Sequence, residues 1–467
     1  MNRWKIVLLS LLVILVLAGI GLLGWMRPYD LETERKAARA AGIPLSEADL
    51  NLVVLPPGEN AAKDYQALQA LKKRQPIDDS ALDAATKGGA FFALKNPRTA
   101  AGLKKAIESR PDVARLVHTA AAKPHLRFPG DRTAVLSPED FPQLALVREA
   151  AKWIRCESIL LAHEGRFGEA VKNQALGLRV ARHAAEEPNL IAYLVSRACE
   201  AIAMQGFKDI LEMAGPNASV ADAVRREIAA YDPRGDLTRG LKGELVQSQS
   251  KLYLPGSNGF GDRWFIESSK AVSIHWTARA IEASSRPTPE RIMAIEVVKS
   301  DMDREMGFRP TAVLTSMMMP VWAKAAAASV QSEAQRTLVS AMASVLAYRA
   351  RHGRYPDSLS SAVSPGPVDP YTGKPLGYTR EGIGFFVFVE QLMTPEEARD
   401  GGKRLAAESI IRYPPTKATT TGPPMPGGRP MPGSPPMPIG PAPSSGPPMP
   451  GGPPMPGGPA PSGGSPQ

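Results

Sequence analysis

The sequence predicts a mainly α protein: an N-terminal transmembrane helix, an extracytoplasmic body of helical hairpins and bundle, a small C-terminal antiparallel β-hairpin module, and a disordered Pro/Gly-rich tail. Three observations predict it. An uncharged apolar run from Ile6 to Met26 stands between Arg3 and Lys5 on one side and Arg27 on the other, and at about 1.5 Å per residue it crosses a hydrocarbon core of about 30 Å. Apolar residues then recur at spacings of three and four through most of the chain, the period of an α-helix. Beyond Tyr413 the composition collapses to Pro, Gly, Met, Ser and Ala. These shifts divide the chain into an anchor (1–30), a helical body (31–320), a long helix with a β module (321–412) and a tail (413–467).

The first run is expected to be a single-pass anchor whose partner is the lipid bilayer through residues 6–26. Arg3, Lys5 and the terminal amine precede it, and Arg27, Arg35 and Lys36 follow, so the positive-inside bias is small. The short N-terminal flank then favours a cytoplasmic N-terminus and a periplasmic body. A cleaved signal peptide competes with this reading, but the run exceeds the usual apolar region of 7–15 residues. Trp25-Met26 at its end also suits an interfacial anchor.

The 467 residues carry a net charge of +10. Lys and Arg are interspersed with Asp and Glu rather than gathered in runs, which reads as a solvated basic surface and not as a nucleic-acid interface. Two cysteines exclude a disulfide-rich scaffold and any Cys-based zinc motif.

Leu31 to Gly42 is rich in helix formers and stops at Gly. After the Leu55-Pro56-Pro57-Gly58 break, Ala62, Tyr65, Leu68 and Leu71 share one helical face. Helical patterns return from Leu94 to Ala122, and Pro124 to Pro142 is a connector. Gln143 to Met213 holds three helices broken at Gly165 and at Glu187-Pro188-Asn189, and such short breaks make antiparallel neighbours. The turn Leu160 to Ala170 resembles a single tetratricopeptide-type hairpin, but no 34-residue period supports a solenoid. Further helices are expected over Ala221 to Ala230, from an Asp236 N-cap to Leu252, around Trp264 to Trp276, over Glu290 to Met306, and, Ala-rich, from Trp322 to Arg351.

At the end of that last helix, Tyr348-Arg349-Ala350-Arg351-His352-Gly353-Arg354-Tyr355-Pro356 leads to Asp369-Pro370 and Thr372-Gly373 turns. Leu376 to Thr379 can then pair with Phe385 to Val389 across Glu381-Gly382. This stretch, Ala341 to Phe388, resembles the helix-to-sheet region of the major pseudopilins of type II secretion systems. It lacks the leader cleavage site and the early Glu of that family, and Glu390 to Pro395 replaces the family's Gly/Asp-rich ending. The chain also resembles large, anchored, helical bacterial envelope proteins that close on the same module. Their pattern includes an Asn-Ala-Ala-x-x-Tyr stretch, matched by Asn60 to Tyr65, and an Ala-Arg-His-x-x-x-Glu-Pro-x-Leu-Ile stretch, matched within Ala181 to Val195. That resemblance implies an architecture and carries no activity.

None of the six histidines has metal-ligand spacing, and neither a nucleophile-elbow nor a phosphate-loop pattern is present. No cofactor, metal or catalytic residue is therefore assigned. Glu157 and Glu200 each follow a cysteine in apolar surroundings and are the candidate buried acids. Cys156 and Cys199, in the first and third helices of the central block, are either a disulfide or two small buried side chains. The expected function is an envelope scaffold or protein-interaction protein, not an enzyme. The alternatives are a pseudopilin-related secretion component and an envelope hydrolase with a site between helices.

Overall fold

A computed structural model of the chain describes residues 28–74, 80–87, 89–128, 142–233, 236–251, 260–307, 309–390 and 410–415, with a few helical residues between 13 and 24. The chain divides into one unit ending at Ala418 and a second from Thr419. The expected disordered tail lies, from residue 416 onward, outside the described residues, as do residues 129–141 of the Pro124 to Pro142 connector.

Helix α1 (Leu31–Ala40) starts at Asp30, whose carboxylate accepts the Thr33 N–H. Helices α2 (Ala62–Arg74), α3 (Ser80–Thr86), α4 (Ala90–Ala93), α5 (Pro97–Glu108) and α6 (Pro111–Ala122) follow. Both α5 and α6 place a proline in the first turn, where its missing N–H costs no intrahelical bond. The central block is α7 (Pro142–His163), α8 (Phe167–Ala185) and α9 (Leu190–Ala214), and all three pack on one another. Then come α10 (Ala218–Ala229), α11 (Leu237–Lys251), α12 (Phe260–Ser284), α13 (Thr288–Met306), α14 (Val313–His352) and the short α15 (Leu359–Ala362).

Fifteen of the 25 residues of α9 are buried, on every side of the helix. That is the signature of a core helix rather than a surface one. It reaches three apolar clusters: Leu190 and Tyr193 meet α1, α11 and α12; Ala192 and Cys199 meet the α2–α7 layer; Met204, Phe207 and Ile210 meet α10, α14 and the sheet. Close approach at its N-terminal end depends on Gly243 of α11, where a Cβ would lie 1.4 Å from the Pro188 carbonyl oxygen.

Gly353, with φ +71°, ends α14 in the left-handed region and returns its N–H to the Arg349 carbonyl. Strands β1 (Gly377–Glu381), β2 (Gly384–Phe388) and β3 (Ile410–Tyr413) form an antiparallel sheet in that order. Glu381 pairs with Gly384, so Gly382, at φ +54°, opens a two-residue turn of the kind that matches strand twist. The sheet seats Phe385 and Val387 in one apolar cluster with Leu346 of α14. The third strand is not anticipated by the sequence pattern, because Ile410 to Tyr413 is four residues long and far from its partner.

The expected membrane span requires correction. Most of residues 6–26 lie outside the described residues, and among the described residues the helix long and apolar enough to cross a bilayer is Pro310–His352. Its most apolar window has a mean hydropathy of 1.2 and is one third buried inside the protein. The fold class is thus mainly α with a three-stranded antiparallel sheet near the C-terminus and its apolar membrane-length helix at 310–352. The N-terminal placement of that helix, and the cytoplasmic N-terminus and periplasmic body derived from it, are overturned. Two physical reasons underlie the difference. Hydropathy and length are met equally by a span and by a core helix. Moreover, α14 runs through Pro320, so the Met-rich turns before it join the Ala-rich stretch that the sequence pattern started at Trp322. The boundary drawn at 320 therefore falls inside α14.

Candidate functional site

The two stretches that carry the envelope-protein resemblance meet around one loop, residues 125–128. Asn60 holds it from one side: its Oδ1 accepts the Arg127 N–H at 2.9 Å and the Ala62 N–H at 3.1 Å, and its Nδ2 donates to the Arg127 carbonyl at 2.9 Å. A side-chain amide here imitates a neighbouring strand. The backbone continues the pairing, with Ala61 N–H donating to the His125 carbonyl and His125 N–H to the Glu59 carbonyl. From the other side Glu186 Oε2 accepts the Leu126 N–H at 3.2 Å, and Glu187 Oε1 accepts the Phe128 N–H at 3.3 Å. His125 Nδ1 lies 2.9 Å from Glu186 Oε1.

His183 and Tyr65 sit beneath this loop, both fully buried. The imidazole Nε2 is 2.9 Å from the Lys123 carbonyl oxygen, an acceptor only, so Nε2 carries the proton. Nδ1 is then the bare nitrogen that accepts the Tyr65 hydroxyl at 3.0 Å. Burial pushes the His183 pKa down from 6.5 to about 4, so the ring is neutral at physiological pH. Burial likewise raises that of Tyr65. Lys123 closes the group through an ion pair with Asp64 at 2.6 Å.

This network forms one wall of a cleft of about 1040 Å³, lined among others by Asn60, Lys63, Gln66, Arg127 and Phe128. The opposite wall is the segment Asn51 to Leu55, to which the Arg127 guanidinium donates at the Val53 carbonyl. The other side of the same segment borders a second cleft of about 600 Å³, with Glu186, Arg239 and Lys242. Among the described residues, Leu52 to Leu55 make no backbone–backbone hydrogen bond. Val53 and Val54 are exposed, Val54 at 91%. Apart from the Val53 carbonyl, which Arg127 occupies, the main-chain groups of Leu52 to Leu55 are thus open to pairing, and such a segment beside an open cleft can accept an extended chain.

The residues singled out in the sequence lie elsewhere. Glu157 accepts the Trp153 indole N–H at 2.8 Å and is bound by His118 Nε2 at 2.6 Å. That hydrogen bond raises the His118 pKa. Glu200 is fully buried, paired with Arg197 at 2.8 Å and with Arg336 of α14, and accepts the Tyr231 hydroxyl at 3.4 Å. The two carboxylates thus belong to separate networks, and neither lines the clefts described. Cys156 and Cys199 are both free and buried, in the same apolar cluster. Burial pushes each thiol up to about 12. Among the described residues no group of three or more His, Cys, Asp or Glu could hold a metal ion. Sequence reasoning missed His125, Arg127 and Glu186. Their only signal was proximity to the two quoted stretches, because a loop gripped through backbone groups leaves no side-chain pattern.

Comparison with protein-family models, with curated proteins and with solved structures finds no match to this chain.

Proposed function

We propose that the chain is a helical interaction scaffold that receives an extended polypeptide along residues 52–55. The observation that carries this reading is the segment Leu52 to Leu55, which has no backbone–backbone hydrogen bond among the described residues and faces a cleft whose far wall is clamped. Strand addition draws its affinity from such main-chain groups, and the exposed valines offer contacts for alternate side chains. Chemistry in the cleft is disfavoured by the state of its neighbours. His183 is neutral and saturated, and Glu186 and Asn60 are committed to backbone donors. A photo-crosslinking amino acid at Lys63, on the cleft wall, tests the reading in the full-length chain. A crosslinked polypeptide is expected from Lys63 and not from exposed Ile383, with at least a tenfold loss on Val54→Pro, which deletes an N–H. Equal yields from both positions, or indifference to Val54→Pro, would refute it.

A second reading, a pseudopilin-related component of a secretion machine, is favoured by the 40-residue α14 ending at Gly353 with an antiparallel sheet folded back upon it. Co-purification of secretion-system subunits with the full chain after mild crosslinking would support it, and their absence would count against it.

A further inference from the structure

Away from the cleft, a partly enclosed cavity of about 100 Å³ lies between α2, α3, α6, α7 and α9. Native cores are close-packed, and voids much larger than a water molecule are few. The walls here are Leu68, Leu82, Val113, Val117, Trp153 and Ile202. The polar groups that reach it are already used. The Thr86 hydroxyl donates to the Leu82 carbonyl at 3.2 Å, and the Cys156 thiol donates to the same carbonyl at 3.8 Å. Its charged residues are matched one to one: Lys72 with Glu149, Lys152 with Asp83 at 3.7 Å, and Arg155 with Asp209 at 2.8 Å. No cation or carboxylate is left over for a charged ligand. A water molecule needs two to four polar partners to reside in a cavity, and dry apolar cavities of about 150 Å³ take up benzene.

We propose that this cavity is a binding site for a small, neutral, apolar molecule of aromatic or short aliphatic character. Shape and apolar contact select the ligand, and the three ion pairs reject charged analogues, since a carboxylate or ammonium would enter without a partner. Trp153 lines the cavity while its indole N–H is held by Glu157. Trp153 is one of six tryptophans, so the part of a fluorescence change that is lost on Trp153→Phe reports occupancy.

The test titrates the full-length chain with benzene, benzoate and benzylamine, following tryptophan fluorescence and the thermal midpoint. Saturable benzene binding is expected, with a midpoint that climbs with concentration as a ligand specific to the folded state requires. Benzoate and benzylamine should bind at least tenfold more weakly. Ala150→Leu fills the cavity and should abolish saturation. If that variant does not fold, Ile202→Phe, at a half-buried wall position, serves instead. Non-saturable uptake of benzene, benzoate or benzylamine binding as tightly as benzene, or benzene binding unchanged in a folded filled variant, would overturn the proposal.

Discussion

Lowering the pH should destabilise this protein through one buried imidazole. Unfolded His183 takes up a proton near pH 6.5, while the folded ring, buried and hydrogen-bonded as a neutral tautomer, resists protonation down to about 4. Between those values the unfolded state binds more protons, so stability rises with pH across that window. The contribution is complete above about 6.5 and is lost as pH falls towards 4. The gap, at 1.36 kcal/mol per pH unit, amounts to about 3 kcal/mol, of which roughly 2–3 kcal/mol disappears between pH 7 and pH 4.5. Urea unfolding of the wild-type chain and of His183→Gln at both pH values isolates this part, because other titrating groups act equally on the two proteins. The wild type should lose that much more stability than the variant over the interval. Parallel losses would show that the ring is not held neutral and would remove the physical basis assigned to the Tyr65–His183 contact. His118 should behave oppositely. Its pKa is raised by Glu157, so its contribution is present at low pH and fades as pH rises through the folded value.

Three other outcomes follow from the packing. Glu200→Gln should cost about 3 kcal/mol, because Arg197 and Arg336 lose their common carboxylate and Arg197 is only 7% exposed. A mutant cycle with Arg336→Met should show strong coupling, and additivity would contradict the shared-carboxylate arrangement. Gly243→Ala should cost about 2 kcal/mol or more, since its Cβ would meet the Pro188 backbone, whereas Gly102→Ala, with open space around it, should be neutral or stabilising by up to about 1 kcal/mol. Chemical denaturation of both variants decides this. A thiol reagent should modify neither Cys156 nor Cys199 in the native chain and both in denaturant without reductant. Finding no reactive thiol in denaturant would mean that they are joined.

Local signals in the chain were clear wherever one residue type did one job. Asp236 is expected at a helix start, and it accepts the Arg239 N–H three residues on. Gly353 ends α14, and Gly382 turns the hairpin. Proline at 320 misled in the same local logic, because a proline removes one intrahelical bond and yet α14 runs on through it. The site was legible only as two unexplained stretches. The sequence holds Asn60-to-Tyr65 and Ala181-to-Val195 far apart and says nothing of the loop they share.

What the sequence determined by itself is the helical class, most helix boundaries, the central three-helix block and the first hairpin. Each rests on periodicity, capping and turn chemistry confined to a few neighbouring residues. Only the tertiary structure decided which apolar helix is long and apolar enough to cross a bilayer among the described residues, and that β3 completes the sheet. It also decided that Glu157 and Glu200 serve separate networks, and that Leu52 to Leu55 lie beside a clamped loop without backbone–backbone hydrogen bonds among the described residues. Those outcomes depend on contacts between residues remote in sequence. Burial and pairing there are properties of the packed whole, and a one-dimensional pattern does not encode them.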